Sequence, residues 1–393
     1  MSNRQQRRMQ QKALRKGRKS GSLSTPLVTA DNLPQMMQSA IQLHQNDQFR
    51  EAAAIYEQVL VIEPNHVGAL SGMGMIDHQA GRFDRARARV EAAIAGGANE
   101  AGYFMNLGAI CEAQPDLEAA EAAYKECLAR DPGYADAYYN LGNVHLKRGA
   151  PDRAIDVFDA CLAAKGREFH ALAYKAHALV DAGRADEAQW LLDFDTYVKP
   201  HRFEVPADFA TWGAFNKAAT RYIKTHPTLR GDVMSTENGR HTGELIKPPL
   251  GPLDGMVTRI NQAINWYKDQ LPDDPDHPAV RWAPDRWNLT AWGVVMHDKG
   301  HERAHIHPNG WLSGVFYVQL PKVIEDPTRN PEGWLEFGKP TPDLAVKSDM
   351  DLRHYKPELG QMFLFPSYFY HGTVPFRSSE RRVCIAFDVE PVY

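Results

Sequence analysis

Cysteine is scarce: the chain has four in 393 residues. They form no CxxC pair and no closely spaced framework of the secreted kind, which excludes a disulfide-stapled scaffold and agrees with a reducing compartment. Long apolar runs are also missing. None approaches the length of a membrane-spanning helix, and residues 1–30 contain no apolar stretch of the signal-peptide type, so neither a secretory signal nor a membrane anchor is expected. These absences predict a cytoplasmic protein without a membrane partner. A large charge of one sign is lacking as well, since the formal net charge is -4, and nothing in the overall electrostatics suits nucleic acid or an anionic surface. The local exception is a segment without acids. Arg4, Arg7, Arg8, Lys12, Arg15, Lys16, Arg18 and Lys19 precede the first carboxylate, Asp31. Residues 1–32 read as a basic, disordered leader. Weak contact with RNA or another polyanion is the alternative for this leader, and no interleaved aromatic supports it.

What is present is apolar enough to fold. With 43% hydrophobic and 24% charged residues, the chain has the composition and length of two or three globular domains. Self-similarity organises the first half. Ala52, Ala86, Ala120, Ala154 and Ala188 recur every 34 residues. Twelve positions earlier stand Ala40, Gly74, Gly108, Gly142 and Ala176; twelve later stand Pro64, Ala98, Pro132, Gly166 and Pro200. Small residues at both places let two helices approach closely, while Tyr56, Tyr124 and Phe158 fill the flanking space. Cys111, Cys127 and Cys161 fall on the same packing faces and are expected as buried thiols.

This pattern resembles the tetratricopeptide repeat, with five helical hairpins over 33–200. One hairpin cannot bury its apolar face alone, so stacking into an α-solenoid with a concave groove is expected. Two roles remain for the array: a groove that binds a protein or peptide, which is favoured, or a scaffold that orients or homodimerises the next domain. Pro200 and Pro206 end the helical pattern, placing the start of the second domain at 201.

Over 201–393 the pattern changes to helices at 207–225 and 252–270, followed by apolar β-branched segments: WNLTAWGVVM, WLSGVFYVQL, GWLEF, GQMFLFP and RRVCIAFDV. Turn residues separate them, as an antiparallel double-sheet jelly roll requires. The fold class is therefore α plus β in two parts.

The chemistry-bearing residues sit among the strands. His305 and His307 lie two apart, and on an extended strand their imidazoles point the same way. His371 follows GQMFLFP, and Arg382 comes eleven residues later. An HxH pair alone also fits a zinc-like site or a surface accident. The combination of HxH, a distant His and an Arg beyond it describes a facial metal triad with an anion anchor, because guanidinium grips a carboxylate bidentately.

HIHPNGWLSGVFYVQLP, then GWLEF, then GQMFLFPSYFYHGTVPFRSSERRVCIAFDV, resembles the 2-oxoglutarate- and Fe(II)-dependent oxygenase family with an HxHP…SGVYY motif, over about 205–393. RRVCIAFDVEP and the upstream repeats are also similar to the aspartyl/asparaginyl β-hydroxylases. The resemblance implies that His305 and His371 ligate Fe(II), and that His307 occupies the slot usually held by an aspartate. It implies that Arg382 binds the distal carboxylate of 2-oxoglutarate. Cys384 stands where many relatives have a serine that bonds the same carboxylate. Either His307 completes a three-histidine site, or two histidines and water hold the iron.

Trp287, Trp292, Trp311, Trp334, Phe316, Tyr317 and Phe363 read as strand core, with Trp292 or Tyr317 able to line the cosubstrate or substrate pocket. His297, His301 and His354 read as surface or loop residues, and Thr242 with Gly243 as a segment able to close over the cosubstrate. The expected function is a 2-oxoglutarate-dependent hydroxylase of a protein or peptide. A cupin-type metalloenzyme would have no use for Arg382 and would carry a Glu soon after HxH, which PNGWLSG lacks. A catalytically silent adaptor would have no need of His305, His371 and Arg382.

Overall fold

A computed structural model describes residues 27–231 and 235–392. The basic leader therefore lies, through residue 26, outside the described residues. The chain divides into two compact units, 1–166 and 167–393.

Over its described residues the first unit is a helical solenoid of four hairpins: α1 Leu33–Gln45 with α2 Phe49–Ile62, α3 Val67–Gln79 with α4 Phe83–Ala95, α5 Ala101–Ala113 with α6 Leu117–Arg130, and α7 Ala135–Lys147 with α8 Pro151–Lys165. The small-residue positions do what their spacing predicts. A Cβ on Gly108 would stand 2.4 Å from the Tyr124 ring, and one on Gly142 would stand 2.3 Å from Phe158. These rings occupy the space the glycines leave, and Ala52, Ala86, Ala120 and Ala154 are fully buried beside them. Cys111, Cys127 and Cys161 are buried and take part in no disulfide among the described residues. Gly142→Ala is expected to overpack this contact and cost about 1–3 kcal/mol. Thermal melting would show a lowered midpoint, partly restored by adding Phe158→Leu.

The turn after the first helix of a repeat also obeys the period. Gly81 and Gly149 have φ of 75° and 71°, the left-handed conformation that closes a helix C-terminus and that glycine adopts without steric cost.

A further helix pair, α9 Phe169–Asp181 with α10 Ala185–Leu191, belongs to the second unit. His177 on α9 is buried and its ring nitrogens face the carbonyls of Ala173 and Gly338 at 2.8 and 3.2 Å. The Tyr368 hydroxyl donates to Leu191 O at 2.7 Å.

Beyond α11 Phe194–Tyr197 come β1 Lys199–Arg202, α12 Trp212–Thr225, β2 Thr236–His241, α13 Asp254–Asp269 and α14 Pro278–Arg281. The remaining strands are β3 Trp287–Glu302, β4 Leu312–Gln319, β5 Leu335–Phe337, β6 Arg353–Tyr355, β7 Gln361–Pro366, β8 His371–Thr373 and β9 Arg382–Pro391. They form an antiparallel six-stranded sheet, β1-β7-β4-β9-β3-β2, and a three-stranded sheet, β6-β5-β8. The sheets meet through aromatics, with the Phe337 and Phe365 rings 4.8 Å apart.

Strand alternation sorts the large sheet into two faces. Phe316 and Gly293 face α12, where Trp212 and Ile223 cover them. Ser313, Val315 and Tyr317 of β4 point the other way. Register places Ser313 opposite Asp388, Val315 opposite Ala386 and Tyr317 opposite Cys384. Trp311, Phe316, Tyr317 and Phe363 are buried, whereas Trp287, Trp292 and Trp334 are half-buried. No helix among the described residues is long and apolar enough to cross a membrane.

His277 ties α14 to the rest of this unit. Its Nε2 faces Trp190 O at 3.0 Å, its Nδ1 accepts from Ala279 N at 3.2 Å, and its ring stacks on Tyr197 at 4.0 Å. Burial pulls its pKa down to about 4 from the ordinary 6.5. Between those values the unfolded chain binds the extra proton, so this contribution to stability is complete above pH 6.5 and is lost as pH falls toward 4. His277→Gln is expected to flatten the pH dependence of melting in that window, by at most about 1.4 kcal/mol per pH unit.

Candidate metal centre

The HxH pair is not on a major strand, as its spacing suggested, but in the connection after β3. Extended geometry persists there through pairing with another segment. His305 N donates to His371 O at 3.0 Å, His371 N donates to His305 O at 3.1 Å, and His307 N donates to Ser367 O at 3.0 Å. This pairing keeps the two side chains on one side, and Pro308 ends it, because proline has no N–H to continue a ladder.

The result is a cluster of three imidazoles. One ring nitrogen from each of His305, His307 and His371 lies within 4.8 Å of the other two, and the ring centroids are 4.4–5.1 Å apart. Every Nδ1 is already engaged. That of His305 faces Arg303 O at 2.8 Å, that of His371 faces Phe369 O at 3.0 Å, and that of His307 faces Asp388 Oδ2 at 2.6 Å. An Nδ1–H donated outward leaves an Nε2 lone pair on each ring, the tautomer a metal ligand needs. Three such lone pairs without protein partners fit a divalent cation. Imidazole donors suit Fe(II) among other first-row divalent cations.

Electrostatics distinguish the three. Burial holds His371 well below the ordinary imidazole pKa and also lowers His305. Burial would lower His307 too, but Asp388 outweighs it and leaves the value raised.

Arg382 and Cys384 lie on the inner face of β9, two residues apart. Arg382 is 1% exposed. Its Nη1 meets only sulfur, Met296 Sδ and Cys384 Sγ, both at 3.7 Å, and the guanidinium carbon lies 4.8 Å from the Tyr317 ring centroid. Arg382 Nε and Tyr317 Oη lack hydrogen-bond partners, and no carboxylate among the described residues pairs with the guanidinium at salt-bridge distance. A buried cation without a hydrogen-bonded counterion is costly, and Glu302 acts on it only from a longer distance, so this place fits an anion. Burial pushes the Cys384 thiol up to about 11, which keeps it neutral. Trp292, half-buried, stacks on His307 at 5.5 Å and 18°.

Other expected residues stand apart. His297 and His301 are half-buried and His354 is exposed, with His354 facing Glu336 at 3.1 Å. Thr242 Oγ1 accepts from Gly293 N at 2.9 Å and donates to Gly243 O at 2.7 Å, a junction between β2 and β3.

Two carboxylates escaped the sequence reading. Asp388 shares its face of β9 with Arg382 and Cys384, and counting by twos from Arg382 along RVCIAFDV would have found it. Glu302 carried no such signal. It ends β3, lies 3.3 Å from His241 Nε2, and feels both His305 and Arg382. Burial raises its pKa, but His241 and those two neighbours prevail and hold the carboxyl well below its ordinary range.

Comparisons with known proteins follow the division of the chain. Residues 290–388 match the family described as "Putative 2OG-Fe(II) oxygenase". Residues 43–106 and 116–168 match families described as "Tetratricopeptide repeat". No curated protein matches the chain. Among solved structures, MamA is similar at 25% identity and TM-score 0.37, over 41% of this chain and 87% of MamA. YrrB, described as a TPR protein with an unusual peptide-binding site, is similar at 18% and 0.37, over 41% of this chain and 84% of its own. A Pseudomonas putida prolyl-4-hydroxylase is similar at 13% and 0.37, over 52% and 99%.

Proposed function

We propose that the second unit is an Fe(II)- and 2-oxoglutarate-dependent dioxygenase that hydroxylates a protein or peptide recruited by the tetratricopeptide array. The observation that carries this reading is the pairing of two unmet needs on one inner surface. Three imidazoles turn partnerless Nε2 atoms toward one another, while buried Arg382 has no carboxylate at salt-bridge distance among the described residues and Glu302 acts on it only from further away.

In this reading His305, His307 and His371 hold Fe(II), and Arg382 takes the distal carboxylate of 2-oxoglutarate in a bidentate grip. Tyr317 Oη, beside the guanidinium and unpartnered, donates to the same carboxylate. Cys384 offers a weak S–H donor there, and Trp292 lines the approach beside His307. The coupling of dioxygen reduction to decarboxylation of 2-oxoglutarate into succinate is the chemistry Fe(II) supplies when bound. The protein orients the two ends of the cosubstrate, keeps water from the buried surface around Phe337, Phe365 and Met296, and presents one substrate C–H bond to the centre. The repeats raise the local concentration of the substrate.

Succinate formation from 2-oxoglutarate by anaerobically iron-loaded protein tests the reading, with His305→Ala and Arg382→Ala alongside. Wild type is expected to turn over and both variants to be silent. Equal rates for all three would reject the assignment.

A further inference from the structure

The three imidazoles are not held alike. His305 and His371 are each fixed by a neutral backbone carbonyl, and His307 alone is fixed by a carboxylate. That carboxylate is itself held through both oxygens. Asp388 is 9% exposed, and its second oxygen, Oδ1, accepts from Ser313 Oγ at 2.7 Å. Ser313 Oγ lies 2.9 Å from Ser367 Oγ, and Ser367 O accepts from the backbone N–H of His307 at 3.0 Å. The contacts close a ring that runs from His307 through Asp388, Ser313 and Ser367 back to His307. It draws on β4, β9, the turn after β7 and the HxH segment. The ring has no slack: a Cβ on Gly310 would stand 2.6 Å from Ser367 Oγ, and both serines are at most 2% exposed.

We propose that His307 is the third metal ligand and that Asp388 is the residue that positions it, supplying from one hydrogen bond away the negative charge that a directly bound aspartate would bring. The inference rests on the reading of this unit as a metal-dependent oxygenase. Both Asp388 oxygens are already bonded inside the protein, so the carboxylate is placed to act on the metal through His307. Accepting the Nδ1–H fixes one tautomer and aims Nε2 into the cluster, and the adjacent charge makes that imidazole a stronger donor. The same charge offsets part of the cation's charge in a buried place, where an unbalanced divalent ion is expensive. A site built this way binds metal nearly as an aspartate-containing triad does and keeps three neutral nitrogen donors. A His307–Asp388 pair serving only to relay protons would leave metal binding indifferent to Asp388.

Cobalt(II) titration of the full chain separates these cases without turnover, read by the visible absorption of bound cobalt and by calorimetry. Asp388→Asn keeps the shape and removes the charge; it is expected to weaken cobalt binding about 10–100-fold and to shift the absorption band. Ser313→Ala, which removes one buried hydrogen bond to Asp388, is expected to weaken it in the same direction by about three- to tenfold. It carries the test if the Asp388 variant does not fold. His307→Ala is expected to lose affinity at least as far as Asp388→Asn. Wild-type affinity and an unchanged band in Asp388→Asn, Ser313→Ala and His307→Ala, with binding abolished in His305→Ala, would overturn the proposal and leave the oxygenase reading standing. A wild-type chain that takes up no cobalt would sink both.

Discussion

Arg382→Met is expected to stop 2-oxoglutarate turnover while metal binding stays near the wild-type level. The guanidinium lies against Met296, Cys384 and Tyr317, so its removal breaks no salt bridge, and Glu302, which loses the more distant charge of Arg382, keeps His241 beside it. Replacing a buried ion by an apolar group of similar length is often neutral or stabilising. The melting temperature without cosubstrate should therefore hold or rise. What is lost is the anion grip. Two charge-assisted hydrogen bonds contribute about 3–6 kcal/mol together, which corresponds to about 10²–10⁴-fold in affinity for 2-oxoglutarate. Calorimetry with 2-oxoglutarate on cobalt-loaded protein reads this directly. Undiminished affinity would show that Arg382 does not hold the cosubstrate.

His371→Ala is expected to lose both metal and turnover, the opposite pattern to Arg382→Met in the binding assay. His371 joins β8 to the HxH segment by two backbone bonds, and its ring packs 4.4 Å from that of His305 and 4.6 Å from Phe365. The backbone bonds survive the substitution, so the fold should persist with a cavity where the ring was. Loss of one of three donors should weaken metal binding by more than about 100-fold, beyond the effect of removing an outer partner. Elemental analysis after dialysis would show a metal content far below stoichiometric. Full metal retention would remove His371 from the ligand set.

The contrast between these variants reflects how unevenly the site could be read from residue order. Repeats were legible because the same packing problem is solved every 34 residues, and Gly108 under Tyr124 repeats as Gly142 under Phe158. Strands with β-branched and aromatic residues, such as Leu312–Gln319 and Gln361–Pro366, were legible for their composition. Lys199–Arg202 was not. Pro200 reads as a helix terminator, yet β1 lies at the sheet edge, where proline is tolerated. Thr236–His241 escaped for a related reason: it is polar because β2 forms the other edge. His305, His371 and Arg382 were found by their residue types and order. Asp388 and Glu302 were missed because a lone carboxylate acquires meaning only when tertiary pairing brings His307 or His241 against it.

The inner side of β9 holds Arg382, Cys384, Ala386 and Asp388 in a single file, opposite Met296, Val294, Trp292 and Thr290 of β3. One ribbon of backbone thus carries both the cationic grip and the acidic brace, and their separation is fixed by the pleat. A single-residue insertion between them would swing one of the two out of the chamber whatever side chain it brought. Evolution of this strand can therefore exchange side chains freely only in place, and any change in its length between these two residues must come in steps of two.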